Sequence, residues 1–299
     1  AALALAQATG DRVAEARIRQ TWGWHLADAL GRSAEGQAHL EEACRLAEEA
    51  GAQDVLYQAL CNLAFAQRAE GRCEAARASA LRALALTSYE AGDAPQPAFA
   101  DALRELAEAN AYLGRWQEAL DLLRPLLDLY RTLDDPWNYG ALLHNYGLYC
   151  ASVGQHGEAV AAMRRLVALS VAVGLPSDSD YGIWHRAGLA GALVGAGEVE
   201  EAGELLGGLD AAKLTPGRPY LAWARAAAEY RLAVGDAAGA LAIVQPAVDW
   251  WRRSASLHDV DVLLLLAEAA LAAGERERAQ MAVEEAEARL AGSDMRRYH

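Results

Sequence analysis

The sequence specifies an all-α protein, a right-handed superhelix (an α-solenoid) of about seven antiparallel helix pairs. Hydrophobic residues make up 54% of its 299 residues, yet Phe occurs only twice and Ala and Leu dominate. That is helix-forming material, not the β-branched and aromatic mix of sheets. Helix-like runs stop seven times at a glycine: Gly31, Gly71, Gly114, Gly154, Gly197, Gly235 and Gly274. Their separations of 40, 43, 40, 43, 38 and 39 residues mark stacked supersecondary units.

Taken in order, residues 1–9 align with the tail of a second helix, as at Ala43–Ala50, and each stretch is followed by glycine. The chain is therefore expected to begin inside a repeat, as a piece of a longer protein. The end at Met295–His299 offers no polar cap and reads as a cut edge. All of 1–299 is expected to form one helical-repeat domain.

Each unit then repeats one internal grammar. Glycine ends the first helix because it takes the left-handed cap conformation without penalty. Five residues later comes Gly36, Ala76, Ala119, Ala159, Ala202, Ala240 or Ala279. Seven residues before it comes Trp24, Ala64, Ala107, Gly147, Ala190, Ala228 or Ala267. Small residues at fixed phase on successive helices let them cross closely, and a larger side chain there overpacks by roughly 1–3 kcal/mol. Trp24 is the one large residue in the series.

The departures from regularity fall between and within units. Ser88–Pro97 and Gly174–Gly182 are longer connections and account for the two spacings of 43. In the fifth unit Gly207-Gly208 interrupts the second helix and Thr215–Pro219 closes the connection, so 207–219 is the expected bend. Pro125 and Pro246 each fall eleven residues past their glycine, inside a second helix, where each removes an amide donor.

Chemistry is sparse. Sequence patterns for zinc hydrolysis, phosphate cradling or an activated serine are absent. The run Gly191–Gly197 lies at the end of a helix with no strand before it and reads as small residues for tight packing. His258-Asp259-Val260-Asp261 reads as carboxylates at a helix start, favoured by the dipole. In Trp250-Trp251 the two rings point about 100° apart, so one is expected in the core and the other partly exposed. The four cysteines form no CxxC pair and match neither a zinc site nor a secreted disulfide framework, so buried thiols in a reduced cytosol are expected. No cofactor and no metal is implied, and the protein is not expected to be an enzyme. A net charge of −14 disfavours direct binding to nucleic acid. No apolar stretch reaches the ~18 residues of a membrane span.

The grammar of a Leu-Gly or Leu-Ala pair, hairpin glycine and following alanine resembles the tetratricopeptide repeat, over nearly the whole chain. These units average about 40 residues against the typical 34. In that they resemble the kinesin-light-chain type and the sensor arrays of bacterial transcription activators and signalling ATPases. The resemblance implies that the first helices line a concave groove, with groove residues thirteen, ten, nine, six and three before the turn glycine. Carried over, this gives Gln58, Asn62, Phe65 and Arg68 in the second unit and Asp101, Arg104 and Glu108 in the third. The fourth supplies His144 and Asn145, the fifth Trp184, and the sixth Arg225 and Glu229. The family uses asparagine at the phase of Asn62 and Asn145 to bond a peptide backbone, whereas Glu105 holds that phase in the third unit.

The resemblance implies a peptide or protein segment held in the groove, and a cytoplasmic sensor or scaffold within a larger bacterial regulator. Two alternatives stay open: a small-molecule sensor of a transcriptional regulator, with Trp184, Tyr139, Tyr146 and Tyr149 walling a pocket, or a structural module that associates with itself.

Overall fold

A computed structural model describes residues 2–28, 32–90, 93–210, 213–214, 217–254 and 260–296. The expected turn glycine Gly31 and, of the other stretches, Ala1, Ala91, Gly92, Thr215, Pro216, His258, Asp259, Arg297, Tyr298 and His299 lie outside them. Among the described residues there are fifteen α-helices and no strand. α1 (Ala2–Thr9) precedes seven pairs: α2/α3 (Arg12–Asp28, Ser33–Ala50), α4/α5 (Gln53–Ala69, Cys73–Ala85) and α6/α7 (Ala100–Tyr112, Trp116–Thr132). The series continues with α8/α9 (Pro136–Ser152, His156–Ala172), α10/α11 (Asp180–Ala196, Val199–Gly207), α12/α13 (Arg218–Ala233, Ala237–Ser254) and α14/α15 (Asp261–Ala272, Arg276–Leu290). The all-α, paired-helix architecture is that of a helical-repeat solenoid.

One hydrogen-bonding pattern builds the turns. Gly71 adopts φ 74°, its N–H donates to the Arg68 carbonyl at 3.0 Å, and the Arg72 N–H donates to the Gln67 carbonyl at 2.9 Å. These are the two bonds of a Schellman cap, which satisfy carbonyls left over at a helix end. Gly114, Gly154, Gly197, Gly235 and Gly274 repeat both bonds. The alanine five residues on opens the next helix: the Ala76 N–H donates to the Arg72 carbonyl at 2.9 Å. Its side chain and that of its partner are both buried, as Ala64 with Ala76, Ala107 with Ala119 and Ala228 with Ala240 show.

The first pair corrects the expectation placed on Trp24. There the Arg32 N–H reaches back six residues, to Leu26, where the later turns reach back five. The connection is one residue longer, so Gly23 takes the small-residue phase. A Cβ on Gly36 would lie 2.5 Å from the Gly23 carbonyl oxygen, and Trp24 is left exposed.

The chain divides into two compact units, one of residues 1–129 with 292–299, the other of 130–291. In the first, the first helices α2, α4 and α6 pack side by side; in the second, α8, α10, α12 and α14 do so. The short α11 ends at Gly207, as the glycine pair predicts, and Leu209 and Leu214 beyond it complete a buried cluster with Ile183, Leu206 and Ala226. Both α7 and α13 run through their internal prolines. Trp251 is wholly buried and Trp250 half-buried, and all four cysteines are buried and unbridged.

Candidate functional site

The candidate residues fall into two places, one in each unit. In the first unit they sit on α4 and α6. The repeat phase turns Arg68 of α4 toward α6, where its guanidinium lies 2.6 Å from Glu108 and 3.5 Å from Glu105. The same guanidinium packs over Phe65 and Tyr112, 5.3 and 5.4 Å from the ring centroids. Arg104 lies 2.9 Å from Glu105, 3.6 Å from Glu108 and 3.9 Å from Asp101. Arg68 and Glu105 retain only 5% and 3% of their side-chain exposure. Burial pushes the Glu105 carboxyl up, against the pull of Arg104. Two guanidinium groups and the carboxylates of Glu105 and Glu108 thus neutralise one another's charge, while the Arg104 Nε is buried without a hydrogen-bond partner. Arg68 and Glu108 lie beneath the surface that a ligand would touch.

What this unit offers outward is different. Gln58 is exposed, and Asn62 and Phe65 are half-buried. Gln58 and Asp101 line a cleft of about 450 Å³ with Arg17, Asp54, Tyr57 and Pro97. Tyr57 is held in its lining by its hydroxyl, which accepts from the Ala102 N–H at 3.2 Å, an amide in the first turn of α6. Arg17 and Asp54, also in the lining, form a 2.6 Å ion pair.

In the second unit the candidates stand on α8, α10 and α12. His144 meets Trp184 edge to face with centroids 4.8 Å apart. Its Nδ1 is buried without a hydrogen-bond partner, and burial, helped by Arg225 and His185, brings its pKa down to about 3. His185 pairs through Nδ1 with the Ser170 hydroxyl at 2.7 Å. Arg225 reaches across to Asp261 in the first turn of α14 at 2.6 Å, leaving its Nε 4.0 Å from Glu229. Burial raises the Glu229 carboxyl to about 7, Arg225 opposing and Asp261 and Glu268 reinforcing the shift. One Glu229 oxygen faces Gly191, 3.4 Å from where a Cβ would stand, and 36% of the side chain remains accessible. Gly191 thus makes room for a carboxylate, within the run read from sequence as a packing stripe.

Some neighbours were not on the sequence-derived list. Trp137 and Tyr181, at the starts of α8 and α10, are 69% and 51% exposed and extend the rings outward. Trp137 lies 6.4 Å from Tyr181, which lies 5.8 Å from Trp184. Exposed apolar side chains gathered this way mark contact surfaces. Both precede the groove phases by at least three residues, and their aromatic type at two helix starts was the available signal. Asn145 is half-buried, and Tyr146 and Tyr149 are buried in the core. Among the described residues no group of three His, Cys, Asp or Glu side chains is placed to hold a metal. None of their helices is long and apolar enough to cross a membrane.

Residues 98–170 match the family model of the tetratricopeptide repeat, over α6 to α9. That stretch carries tetratricopeptide repeats. Solved structures agree on the fold of these repeats over most of the chain. A tetratricopeptide repeat protein from Parabacteroides merdae is 18% identical, with 91% of this chain and 92% of that one covered and a TM-score of 0.58. A Rap protein complexed with competence and sporulation factor is 14% identical, covering 94% and 75% with a TM-score of 0.66. Aspartyl phosphate phosphatase F from Bacillus subtilis is 12% identical, covering 93% and 70% with a TM-score of 0.67. At these identities the likeness concerns the fold alone. No curated protein matches the sequence.

Proposed function

We propose that this tetratricopeptide chain is a non-enzymatic binding module that grips a peptide or protein segment on the first-helix face of its second unit. It would serve as the sensor or scaffold part of a larger cytoplasmic bacterial regulator. The observation that carries this reading is the gathering of accessible rings on α8 and α10, with an under-neutralised carboxylate on the neighbouring α12. Trp137, Tyr181 and Trp184 offer apolar contact, and Glu229 shares the Arg225 guanidinium with Asp261. A cationic side chain beside an apolar one is the complement of that surface. Asn62 and Asn145 would bond the ligand backbone, since an amide both donates and accepts. The Rap protein solved with competence and sporulation factor supports the use of such a fold to seat a ligand.

A peptide-array screen with the full chain tests the reading. Trp184→Ala and Glu229→Gln are expected to abolish or weaken by at least about tenfold the capture of bound peptides. Captured peptides that bind both variants as well as the parent would show that the ligand sits elsewhere.

The first-unit cleft favours a second reading, a small-molecule sensor. Its volume of about 450 Å³ is that of a metabolite-sized site, and Tyr57, Gln58 and Asp101 give it convergent polar groups. A thermal-shift screen in which a metabolite stabilises the parent but not Gln58→Ala would support it over the first.

A further inference from the structure

The segment Gly292–Arg296 lies against the turns of the second and third repeats and belongs to the first unit. Its contacts have the form of a bound peptide. The Asp294 carboxylate accepts from the N–H groups of Cys73 and Glu74, the latter at 2.8 Å. These are the first two residues of α5, whose amides have no partner within the helix. Arg72, which precedes them, supplies no side-chain cap, whereas α8 and α10 are capped by their own Asp135 and Ser179. The carboxylate that serves α5 comes from 220 residues further along the chain.

The backbone of the segment is fixed as well. The Asp294 N–H donates to the Gly71 carbonyl at 3.0 Å, and the Arg296 N–H donates to the Tyr112 carbonyl at 2.8 Å, at the end of α6. Between these two anchors the Met295 side chain is wholly buried. Methionine suits such a seat because its unbranched thioether adapts to irregular gaps. Arg296 runs across Gly114, its Cβ and carbonyl 3.7 Å from where a side chain at 114 would begin. A carboxylate at a helix start, an enclosed apolar side chain and two backbone bonds together select a sequence pattern. None of the four contacts follows from nearest-neighbour packing of repeats.

We propose that this turn edge is a peptide-docking site of its own, which reads an extended acidic–apolar–basic segment. Its occupant is the chain's own Asp294-Met295-Arg296, held by non-covalent contacts that the same segment can remake when supplied as a separate peptide. The site is independent of the first-helix face and of the function proposed for it.

The test uses the full chain carrying Asp294→Ala with Met295→Ser, and a synthetic peptide of residues 290–296 (Leu-Ala-Gly-Ser-Asp-Met-Arg). Amide hydrogen exchange at Cys73 and Glu74 is the readout, with amides of α13 as the internal standard. The double variant is expected to exchange faster at Cys73 and Glu74 by roughly 3–30-fold, the worth of a helix cap. Added peptide should restore the protection, and a peptide with Ala in place of the aspartate should not. Unchanged exchange in the variant would overturn the docking, and failure of the parent peptide to restore protection would overturn peptide recognition. If α13 also loosens, Asp294→Asn in the full chain gives the same decision, since it keeps the side-chain shape and removes the charge and one of the two accepting oxygens. Unchanged protection there refutes the role of the carboxylate.

Discussion

At position 36 the fold requires the absence of a side chain. A Cβ there would meet the Gly23 carbonyl oxygen at 2.5 Å and the Ala27 backbone nitrogen at 3.0 Å, and backbone cannot swing aside. Gly36→Ala is expected to destabilise the protein by about 1–3 kcal/mol despite alanine's better helix propensity. Gly157, in the first turn of α9, has nothing within 4 Å of its added Cβ. Gly157→Ala should therefore stabilise by about 0.5 kcal/mol through the unfolded chain; urea midpoints of the two variants should move in opposite directions. Titration gives a second opposed pair. His144 falls from its ordinary 6.5 to about 3, so between those values the unfolded chain takes a proton that the folded one refuses. Stability from this group is lost as pH drops through that window. Glu229 rises from 4.5 to about 7, so the unfolded chain releases a proton that the folded one keeps, and stability is lost as pH climbs between them. His144→Gln should flatten the acid-side loss and Glu229→Gln the loss toward neutrality, each read as the pH dependence of the variant's midpoint minus the parent's.

At the scale of elements, α4 and α6 are held by a charge network as well as by apolar packing. Removing the buried guanidinium with Arg68→Met strips Glu105 and Glu108 of a shared partner and should cost about 3–5 kcal/mol. Adding Glu108→Gln should recover part of that loss, because it removes one of the stranded charges. A double-mutant cycle on thermal stability measures the coupling, and strict additivity would refute the network. The sequence phase does place Arg68, Arg104, Asp101 and Glu108 on adjoining helices, with Asp101, Arg104 and Glu108 three and four residues apart on one face. What it leaves illegible is the reach of side chains 37 residues apart, such as Arg68 and Glu105, and the cover that Phe65 and Tyr112 supply. Phase gives the direction of a side chain, whereas accessibility depends on what the neighbouring repeat sends back. Trp24 shows the complementary limit: one extra residue in a turn moves the register by one, and glycine spacing alone does not display it.

Over the whole molecule, periodicity was legible because the six described glycine turns solve the same problem with a glycine cap and two small residues. Repeat logic describes neighbours in sequence order, and the docking of Asp294–Arg296 on the turns at Gly71 and Gly114 has no period to betray it. Charge is a property of the whole that both sequence and structure carry. Acidic residues exceed basic ones by 41 to 27, and many arginines are committed to ion pairs, including Arg68, Arg104, Arg225 and Arg252. The field around the protein therefore draws cations and repels phosphate backbones. A partner that fits Glu229 and the rings of α8 and α10 should be a basic segment carrying an apolar side chain, and long-range attraction should speed its arrival. Association of such a peptide should slow by about tenfold or more between 50 and 500 mM salt, as the screening length shrinks from roughly 14 to 4 Å. Dissociation should change far less, because it breaks short contacts that screening barely reaches. Stopped-flow rates on the parent and on Glu229→Gln separate the two effects: the variant should lose affinity mainly in its off-rate and keep most of the salt dependence of its on-rate. A peptide whose on-rate ignores salt would place its recognition in the apolar rings alone.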